Sequence, residues 1–247
     1  VARHKVLVMG RRWRKTTLGI IAAVDGHGPR INGVPHFPGA LQGANVWFIG
    51  QSAPESKTLW YAIRGMLRPL AKHISEQDRR ILLVGDGAIT VKSASGGKGE
   101  GDALVGDIRG LDGVVMNEAA KFNPLVWQKA IYPSLSDRKG WSIWPSTPEG
   151  FNYYKDLHDA AVGGLAGWQA WQAPSSANPY WAASAIEAAR RAGTPDNIIR
   201  QEYFAEFIIS GAGRTYHEFT REAHVEEQEI SSTLPLDLCV SFGVAPA

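Results

Sequence analysis

A lysine and two threonines that follow a short apolar segment are the residues best suited to chemistry. Residues 6–9 are apolar, Gly10 comes next, and Lys15 with Thr16 ends a run of basic residues. A buried strand, a phosphate-binding loop and a helix start have this pattern, because the lysine can reach terminal phosphates and the hydroxyl can coordinate Mg²⁺. We therefore predict a Walker A-type loop. Its nucleotide-binding residues would be Gly10, Arg11, Arg12, Trp13, Arg14, Lys15, Thr16 and Thr17.

This loop departs from the usual G-x-x-x-x-G-K-[ST] pattern at both glycines. Met9 stands at the first glycine position and Arg14 at the second, so only the lysine and the threonine agree. A basic surface turn between a strand and a helix is equally consistent with these residues. The loop alone leaves both interpretations open.

A second candidate is the segment 111–120, LDGVVMNEAA, in which an apolar strand ends at Asn117 and Glu118. In P-loop ATPases with a catalytic glutamate, such a strand supplies an acid for Mg²⁺ and then a glutamate that polarises the attacking water. Here the position of the first acid holds Asn117. An equally good interpretation is that the pair caps a helix beginning at residue 119.

Two further segments carry weaker signals. Ser146 and Thr147 follow a predicted strand at residues 140–144, so their hydroxyls could sense a γ-phosphate, although Ser-Thr-Pro is also ordinary turn chemistry. Without other information the turn is favoured. The glycine-rich segment 96–101 lacks the spacing of a dinucleotide loop and indicates a flexible loop.

Composition limits the class of protein. The 247 residues are enough for one large domain or two small ones, and no apolar run is long enough to span a membrane. The single cysteine, Cys239, excludes an internal disulfide framework and indicates a reducing, cytoplasmic compartment. A net charge of +2 permits nucleic-acid binding without indicating it.

The order of predicted elements indicates an α/β fold with a largely parallel central sheet flanked by helices. Turn chemistry at Gly-Asp-Gly predicts a hairpin over residues 80–94. Residues 25–43 are predicted to be a loop or excursion, and the polar segment 222–235 a linker. Other strands are predicted at 45–50 and 168–173, and helices at 17–24, 56–70, 124–131, 153–161, 180–192 and 195–204.

Six motifs, taken in order, resemble the ATPase domain of the large terminase subunit of tailed phages. They are GRRWRKT, KSA, VVMNEAAKF, LSDRKGWSIWPSTPEGFNYY, APSSANPYW and QEYFAEF, and together they cover nearly the whole chain. The resemblance implies a P-loop NTPase of the ASCE type. It also implies a motor that uses ATP and Mg²⁺ to package double-stranded viral DNA into an empty procapsid.

The resemblance also assigns roles to residues. Arg11 and Arg12 match the two loop arginines of the family, and Ser146 with Thr147 falls where its coupling motif lies. Arg109 is the best match for an arginine finger. By the same comparison, Lys15 would bind phosphate, Thr16 and Asn117 would bind the metal, and Glu118 would be the catalytic glutamate.

Domains and partners follow from the same resemblance. Residues 1–221 would be the ATPase domain, 222–235 a linker, and 236–247 the first strand of a truncated RNase H-like nuclease domain. Because residues 238–244 contain no aspartate, nuclease activity is expected to be absent from this chain. The expected partners are double-stranded DNA, portal protein and small terminase subunit, in the host cytoplasm and without a membrane. We expect a homo-oligomeric ring on the capsid and a monomer in solution.

Arg14 and Asn117 are the departures from the family pattern that bear on activity, and they predict an impaired ATPase. One alternative is therefore a nucleotide-impaired, terminase-like module that acts by binding DNA, portal or small subunit. Another is a different P-loop enzyme, such as a helicase or a nucleotide kinase. The helicase motifs and the lid and acceptor site of a nucleotide kinase are not found in the sequence.

Overall fold

The fold is a mixed α/β structure built on one eight-stranded sheet. A computed structural model describes residues 1–95, 104, 110–182 and 184–208. The strand order is β10-β1-β9-β8-β4-β7-β6-β5. The strands are β1 (His4–Met9), β4 (Asn45–Gly50), β5 (Ala71–Ser75), β6 (Arg80–Leu83), β7 (Ala88–Ser93), β8 (Gly113–Met116), β9 (Trp141–Ser146) and β10 (Trp168–Ala173), while β2 (His27–Ile31) and β3 (Val34–Phe37) form a separate hairpin.

The described part of the chain contains six α-helices. They are α1 (Lys15–Asp25), α2 (Ala53–Leu67), α3 (Tyr132–Ser136), α4 (Tyr153–Val162), α5 (Ser184–Arg191) and α6 (Asp196–Phe204). A π-helical segment at Val126–Ile131 leads into α3, where the sequence predicted one helix over 124–131. None of the helices in the described part of the chain is long and apolar enough to cross a bilayer.

The predicted, largely parallel sheet is confirmed: six of its eight strands, in the described part of the chain, pair in parallel. Strands β10, β1, β9, β8, β4 and β7 pair in parallel, whereas β7–β6 and β6–β5 are antiparallel. Because parallel strands share one direction, the carboxyl ends of β1, β9, β8 and β4 lie along the same edge of the sheet. Any side chain that follows one of these strands is therefore placed near the others.

Both faces of the sheet are buried, as expected for parallel strands. In β1, Leu7 and Met9 pack into one apolar cluster and Val6 and Val8 into the other. Helix α1 covers the first face closely at Gly19, where an added Cβ would lie 2.7 Å from Val115 Cγ1. Phe48 of β4 lies 3.2 Å from the same position, so close packing holds α1, and the loop before it, in a fixed position against β4 and β8.

Most predicted elements that fall on described residues are confirmed. Residues 80–94 form the predicted hairpin of β6 and β7, and residues 45–50 form β4. The segment 25–43, predicted to be a loop or excursion, leaves the main sheet and forms the separate β2–β3 hairpin. Its turn residues Asn32 and Gly33 have φ of 52° and 81°, the pair of positive angles that a two-residue hairpin turn requires.

Several predictions fall on residues outside those described. Arg109, the predicted finger, is one of them, as are the glycine-rich segment 96–101 and the predicted linker and nuclease strand at 222–235 and 236–247. The described residues lie within one compact unit, Val1–Ser210.

Candidate functional site

The predicted phosphate loop, residues 10–17, connects β1 to α1 and is hereafter called the basic loop. Gly10 is its first residue, and an added Cβ there would lie 2.5 Å from Ser175 Oγ and 2.7 Å from the Tyr203 carbonyl oxygen. Glycine is therefore required at this position by the neighbouring segments. Helix α1 begins within the basic loop, at Lys15. The amino terminus of a helix favours bound anions, so this end of α1 adds to the positive charge of the loop.

The basic loop is anchored by residues from the second half of the chain. Ser175 Oγ donates to the Arg11 carbonyl at 2.8 Å, and Asn178 Nδ2 donates to the Arg12 carbonyl at 2.8 Å. Trp13 Nε1 donates to the Pro174 carbonyl at 2.7 Å, which ties the loop to the residue that follows β10. The loop is thus a fixed structure rather than an unconstrained surface turn.

Two arginines of the loop have left-handed backbone conformations. Arg12 has φ 66°, and Arg14 has φ 55° and ψ 40° immediately before α1. This is the region that glycine occupies without cost and other residues occupy at about 1–2 kcal/mol. The glycine of the standard motif is therefore explained by the backbone at residue 14, although the side chain found there is arginine.

A cavity of about 750 Å³ opens beside the basic loop at the carboxyl edge of the sheet. Its lining combines four basic side chains with four acidic ones. The basic side chains suit an anionic ligand, and a carboxylate could bind and orient a water molecule. The basic residues are Arg11, Arg12, Lys15 and Lys121, the acidic ones are Glu55, Glu118, Glu149 and Glu202, and Thr58, Leu59, Asn117, Thr147, Pro148 and Gln201 complete the wall. Arg14 is not part of it.

Lys15 lies at the base of this cavity. Its Nζ donates to the Met9 and Gly10 carbonyls at 3.3 Å and 3.2 Å, across the end of β1. Burial lowers the pKa of Lys15 below its ordinary value, an effect that the negative charge of Glu118 opposes. A buried ammonium that faces a cavity gains most from an anionic ligand, because that ligand restores the interactions lost with water.

Arg11 is paired with Glu202 of α6. Their side chains form an ion pair, and the Arg11 amide donates to the Glu202 carbonyl at 2.7 Å. The hydrogen bond to Glu202 raises the pKa of Arg11 above its usual range. No local sequence pattern predicts this contact, because the two residues lie 191 positions apart.

Asn117 and Glu118 leave the end of β8 in different directions. Asn117 is buried, and Thr16 Oγ1 donates to its Oδ1 at 3.1 Å while its Nδ2 donates to Glu55 Oε1 at 3.1 Å. Glu118 is half-buried, lines the cavity and has φ 55°. Only a 3₁₀ turn, Ala119–Lys121, follows, and Glu118 gives it no side-chain cap. The helix-capping interpretation of this pair is therefore wrong.

The structure separates the predicted coupling pair. Ser146 is buried, and its Oγ accepts a hydrogen bond from the Ala120 amide at 3.1 Å, which ties β9 to the turn after Glu118. Thr147 lines the cavity. Ser146 thus holds the Glu118 segment in place, while Thr147 is the member of the pair that lines the cavity.

The oxygens at this site suit a divalent cation that is also bound by phosphate oxygens. Among the described residues no three His, Cys, Asp or Glu side chains are grouped so as to hold a metal ion alone. Thr16 directs its only hydroxyl hydrogen at Asn117, so its lone pairs remain available to a cation. Mg²⁺ in proteins usually keeps several waters and is bound by one or two carboxylates and substrate phosphates. Thr16 and Asn117 offer neutral oxygens here, and the carboxylates of Glu55 and Glu118 lie in the same cavity wall as Asn117.

Comparison with solved structures identifies the fold. The ATPase domain of the large terminase of Thermus phage P74-26 matches with a TM-score of 0.62, over 84% of this chain and 90% of that one, at 22% identity. The large terminase of bacteriophage HK97 matches with a TM-score of 0.59, over 83% of this chain and 47% of that one, at 14% identity. The chain has the fold of a phage large-terminase ATPase domain.

Sequence comparison agrees with this assignment over a shorter stretch. The large terminase subunits of Thermus phage G20c and Thermus virus P23-45 are each 33% identical to this chain over an alignment of 120 residues, and the match covers 40% of this chain. The match spans 23% of the length of each relative. No family model matches the chain.

The residues of the cavity wall that were not predicted from the sequence include Glu55, Gln201 and Glu202. Glu55 follows β4, a strand predicted correctly, and the Ser52 cap and Pro54 mark the start of α2 just before it. That placement could have suggested a side chain at the same sheet edge. Gln201 and Glu202 reach the cavity only through the packing of α6, for which the sequence carries no local signal.

Proposed function

We propose that this chain is the ATP-hydrolysing motor domain of a viral DNA-packaging terminase. The observation that carries the proposal is the convergence of Lys15, Asn117, Glu118 and Thr147 on one cavity, from three neighbouring parallel strands. Phosphoryl transfer needs this arrangement, because its catalysis consists mostly of positioning and charge neutralisation. The fold, which is similar to that of phage large-terminase ATPase domains, supports DNA packaging as the process that this hydrolysis would drive.

In the proposed reaction, a water molecule attacks the γ-phosphorus of ATP in line with the departing ADP oxygen. Glu118 orients this water and accepts its proton, and Lys15 with the loop arginines offsets charge on the phosphate oxygens. Thr16 and Asn117 would hold Mg²⁺, which when bound supplies further neutralisation of phosphate charge. Thr147 is placed to respond to the γ-phosphate, and Arg109 remains our proposal for the finger.

The motor function requires partners, which are part of the proposal. They are double-stranded DNA, the portal protein and the small terminase subunit, acting on a ring of this subunit at the capsid in the host cytoplasm. The direct test is steady-state ATP turnover by the purified chain, with and without double-stranded DNA and portal. We expect turnover that DNA and portal increase. Complete inactivity under both conditions would contradict the ATPase assignment.

A second candidate function is supported by Asn117 and Arg14. An amide replaces the charge that would hold the metal, and a strained non-glycine residue precedes Lys15. On these grounds the chain would bind nucleotide weakly and act as a docking module for DNA, portal or small subunit. Nucleotide-dependent thermal stabilisation separates the two functions, because a ligand at a hundred times its Kd adds about 2.7 kcal/mol to stability.

If these two departures weaken the motor, reverting them should strengthen it. Arg14→Gly together with Asn117→Asp is expected to raise nucleotide affinity and turnover together, by roughly tenfold or more. Glycine adopts the left-handed conformation at residue 14 without the cost of about 1–2 kcal/mol. Aspartate adds a negative charge beside Thr16 and Glu55, and bound Mg²⁺ would offset the repulsion between the two carboxylates. Nucleotide titration and steady-state hydrolysis at saturating Mg²⁺ measure both effects. Ordinary turnover by the parent chain, with no gain on reversion, would refute the proposed impairment.

A further inference from the structure

Glu55 is the acidic side chain in contact with Asn117, and no sequence motif assigns it a role. It is the third residue of α2, which begins just after the carboxyl end of β4, and β4 pairs directly with β8. Its Oε1 accepts from Asn117 Nδ2 at 3.1 Å, and its Oε2 accepts from the Gln51 amide at 3.1 Å. Both carboxylate oxygens are thus engaged, and the group is held in one orientation.

This contact determines which way the Asn117 amide points. An ionised carboxylate can only accept hydrogen bonds, so the amide must turn Nδ2 towards Glu55. Asn117 Oδ1 then faces Thr16, whose hydroxyl donates to it at 3.1 Å. The opposite orientation would bring Oδ1 against a carboxylate oxygen and leave Thr16 facing a donor. Glu55 therefore fixes the oxygen of Asn117 on the side where a metal would bind.

The same contact places a negative charge one hydrogen bond behind that oxygen. In a chain of hydrogen bonds each group polarises the next, so a carboxylate at Nδ2 makes Oδ1 a stronger acceptor. The cavity wall also includes Glu55 itself, so its field reaches the space beside Lys15 directly. A single aspartate at residue 117 would combine the oxygen and the charge in one side chain.

We propose that Glu55 and Asn117 together replace that aspartate, with Asn117 supplying the oxygen and Glu55 the charge that holds Mg²⁺ with the nucleotide. Glu55 is a positioning residue in this arrangement, since it acts through Asn117. The inference rests on the proposed ATPase function and deepens it. It also limits the impairment expected from Asn117, because the missing charge is supplied by a neighbouring residue.

The test is the Mg²⁺ dependence of nucleotide binding. It is measured as the thermal stabilisation of the protein at a fixed ATP concentration and varied Mg²⁺ concentrations. For Glu55→Gln we expect the Mg²⁺ concentration at half-maximal stabilisation to rise about 10- to 100-fold, the usual cost of removing a group that supports a metal ligand. ATP binding in EDTA should stay as in the parent. Glu187→Gln, an exposed acid on α5 that does not line the cavity, is the matched control and should not change either value.

A second variant separates charge from structure. Glu55→Gln combined with Asn117→Asp exchanges the amide and the carboxylate, so the pair keeps one negative charge and one hydrogen bond. We expect the Mg²⁺ concentration at half-maximal stabilisation to return to the value of the parent chain or to fall below it. If Glu55 served only to stabilise the start of α2, Glu55→Gln would lower the melting temperature without nucleotide and leave the Mg²⁺ concentration at half-maximal stabilisation unchanged.

The outcomes also distinguish this inference from the proposed function. Stabilisation of the parent by ATP and Mg²⁺, with unchanged Mg²⁺ dependence in Glu55→Gln, would overturn the role of Glu55 alone. Failure of the exchanged pair to restore that dependence would do the same. Absence of any nucleotide binding by the parent chain would overturn both.

Discussion

Replacing Glu118 with glutamine is expected to slow ATP hydrolysis by about 10²–10⁴-fold while nucleotide binding is kept, because this is the usual contribution of a positioned general base. Glu118 faces the cavity from the end of β8, whereas Glu55 is engaged by Asn117 and Glu202 by Arg11. Glutamine has nearly the same shape and can still contact water, but it cannot accept a proton.

The backbone at Glu118 supports a functional role for this residue. Its φ of 55° lies in the left-handed region, and such strain in a non-glycine residue is often found at catalytic positions. Hydrogen bonds hold the conformation, from the Asn117 amide to the Ile49 carbonyl and from the Lys121 amide to the Glu118 carbonyl, each 3.0 Å. The side chain is thus directed into the cavity by the surrounding structure.

The measurement for Glu118→Gln is steady-state phosphate release, with nucleotide affinity determined in parallel by titration. Glu187→Gln removes an exposed acid outside the cavity and serves as the control for a general change in charge. If the Glu118 variant hydrolysed ATP as fast as its parent, another group would have to be the base.

The second large effect is expected at Lys15, where replacement by alanine should weaken nucleotide binding by about 10- to 100-fold. Hydrogen bonds to charged groups are worth about 1.5–3 kcal/mol, which corresponds to this range. The ammonium lies between the end of β1 and the cavity, where burial has already removed much of its hydration. A phosphate is the ligand that would best offset that loss.

The lowered pKa of Lys15 adds a pH dependence with a defined sign. As pH rises through that lowered pKa, the free protein loses the Lys15 proton, and binding an anionic nucleotide must then restore it. Affinity should therefore fall at alkaline pH before an ordinary lysine would titrate, with proton uptake on binding. Calorimetric titration in buffers of different ionisation enthalpy detects this uptake.

A matched control for Lys15→Ala is Lys57→Ala, which removes an exposed lysine of α2 that does not line the cavity. The control should bind nucleotide with the affinity and pH dependence of the parent. Equal affinities for the parent and Lys15→Ala, at all pH values, would exclude Lys15 from the binding site.

Much of the fold could be predicted from sequence, because its signals are local. The apolar run before Gly10, the Gly-Asp-Gly turn and the apolar strand before Asn117 each specify an element within a few residues. Alternation of such elements then gives a parallel sheet, and strand ends give candidates such as Lys15 and Glu118. The β2–β3 hairpin was missed because its Asn-Gly turn lies in a segment of loop-like composition.

The amino-acid sequence by itself determined which residues could do the chemistry and the order in which strands present them. Only the tertiary structure decided which of these residues meet. It turned Trp13 and Ser146 to structural contacts and brought Glu55, 62 positions away, to Asn117. It also brought Glu202 to Arg11. The physical reason is that these contacts depend on the order of the strands and on the packing of the helices. Both are set by burial of the two apolar faces along the whole sheet, and no local sequence pattern determines them.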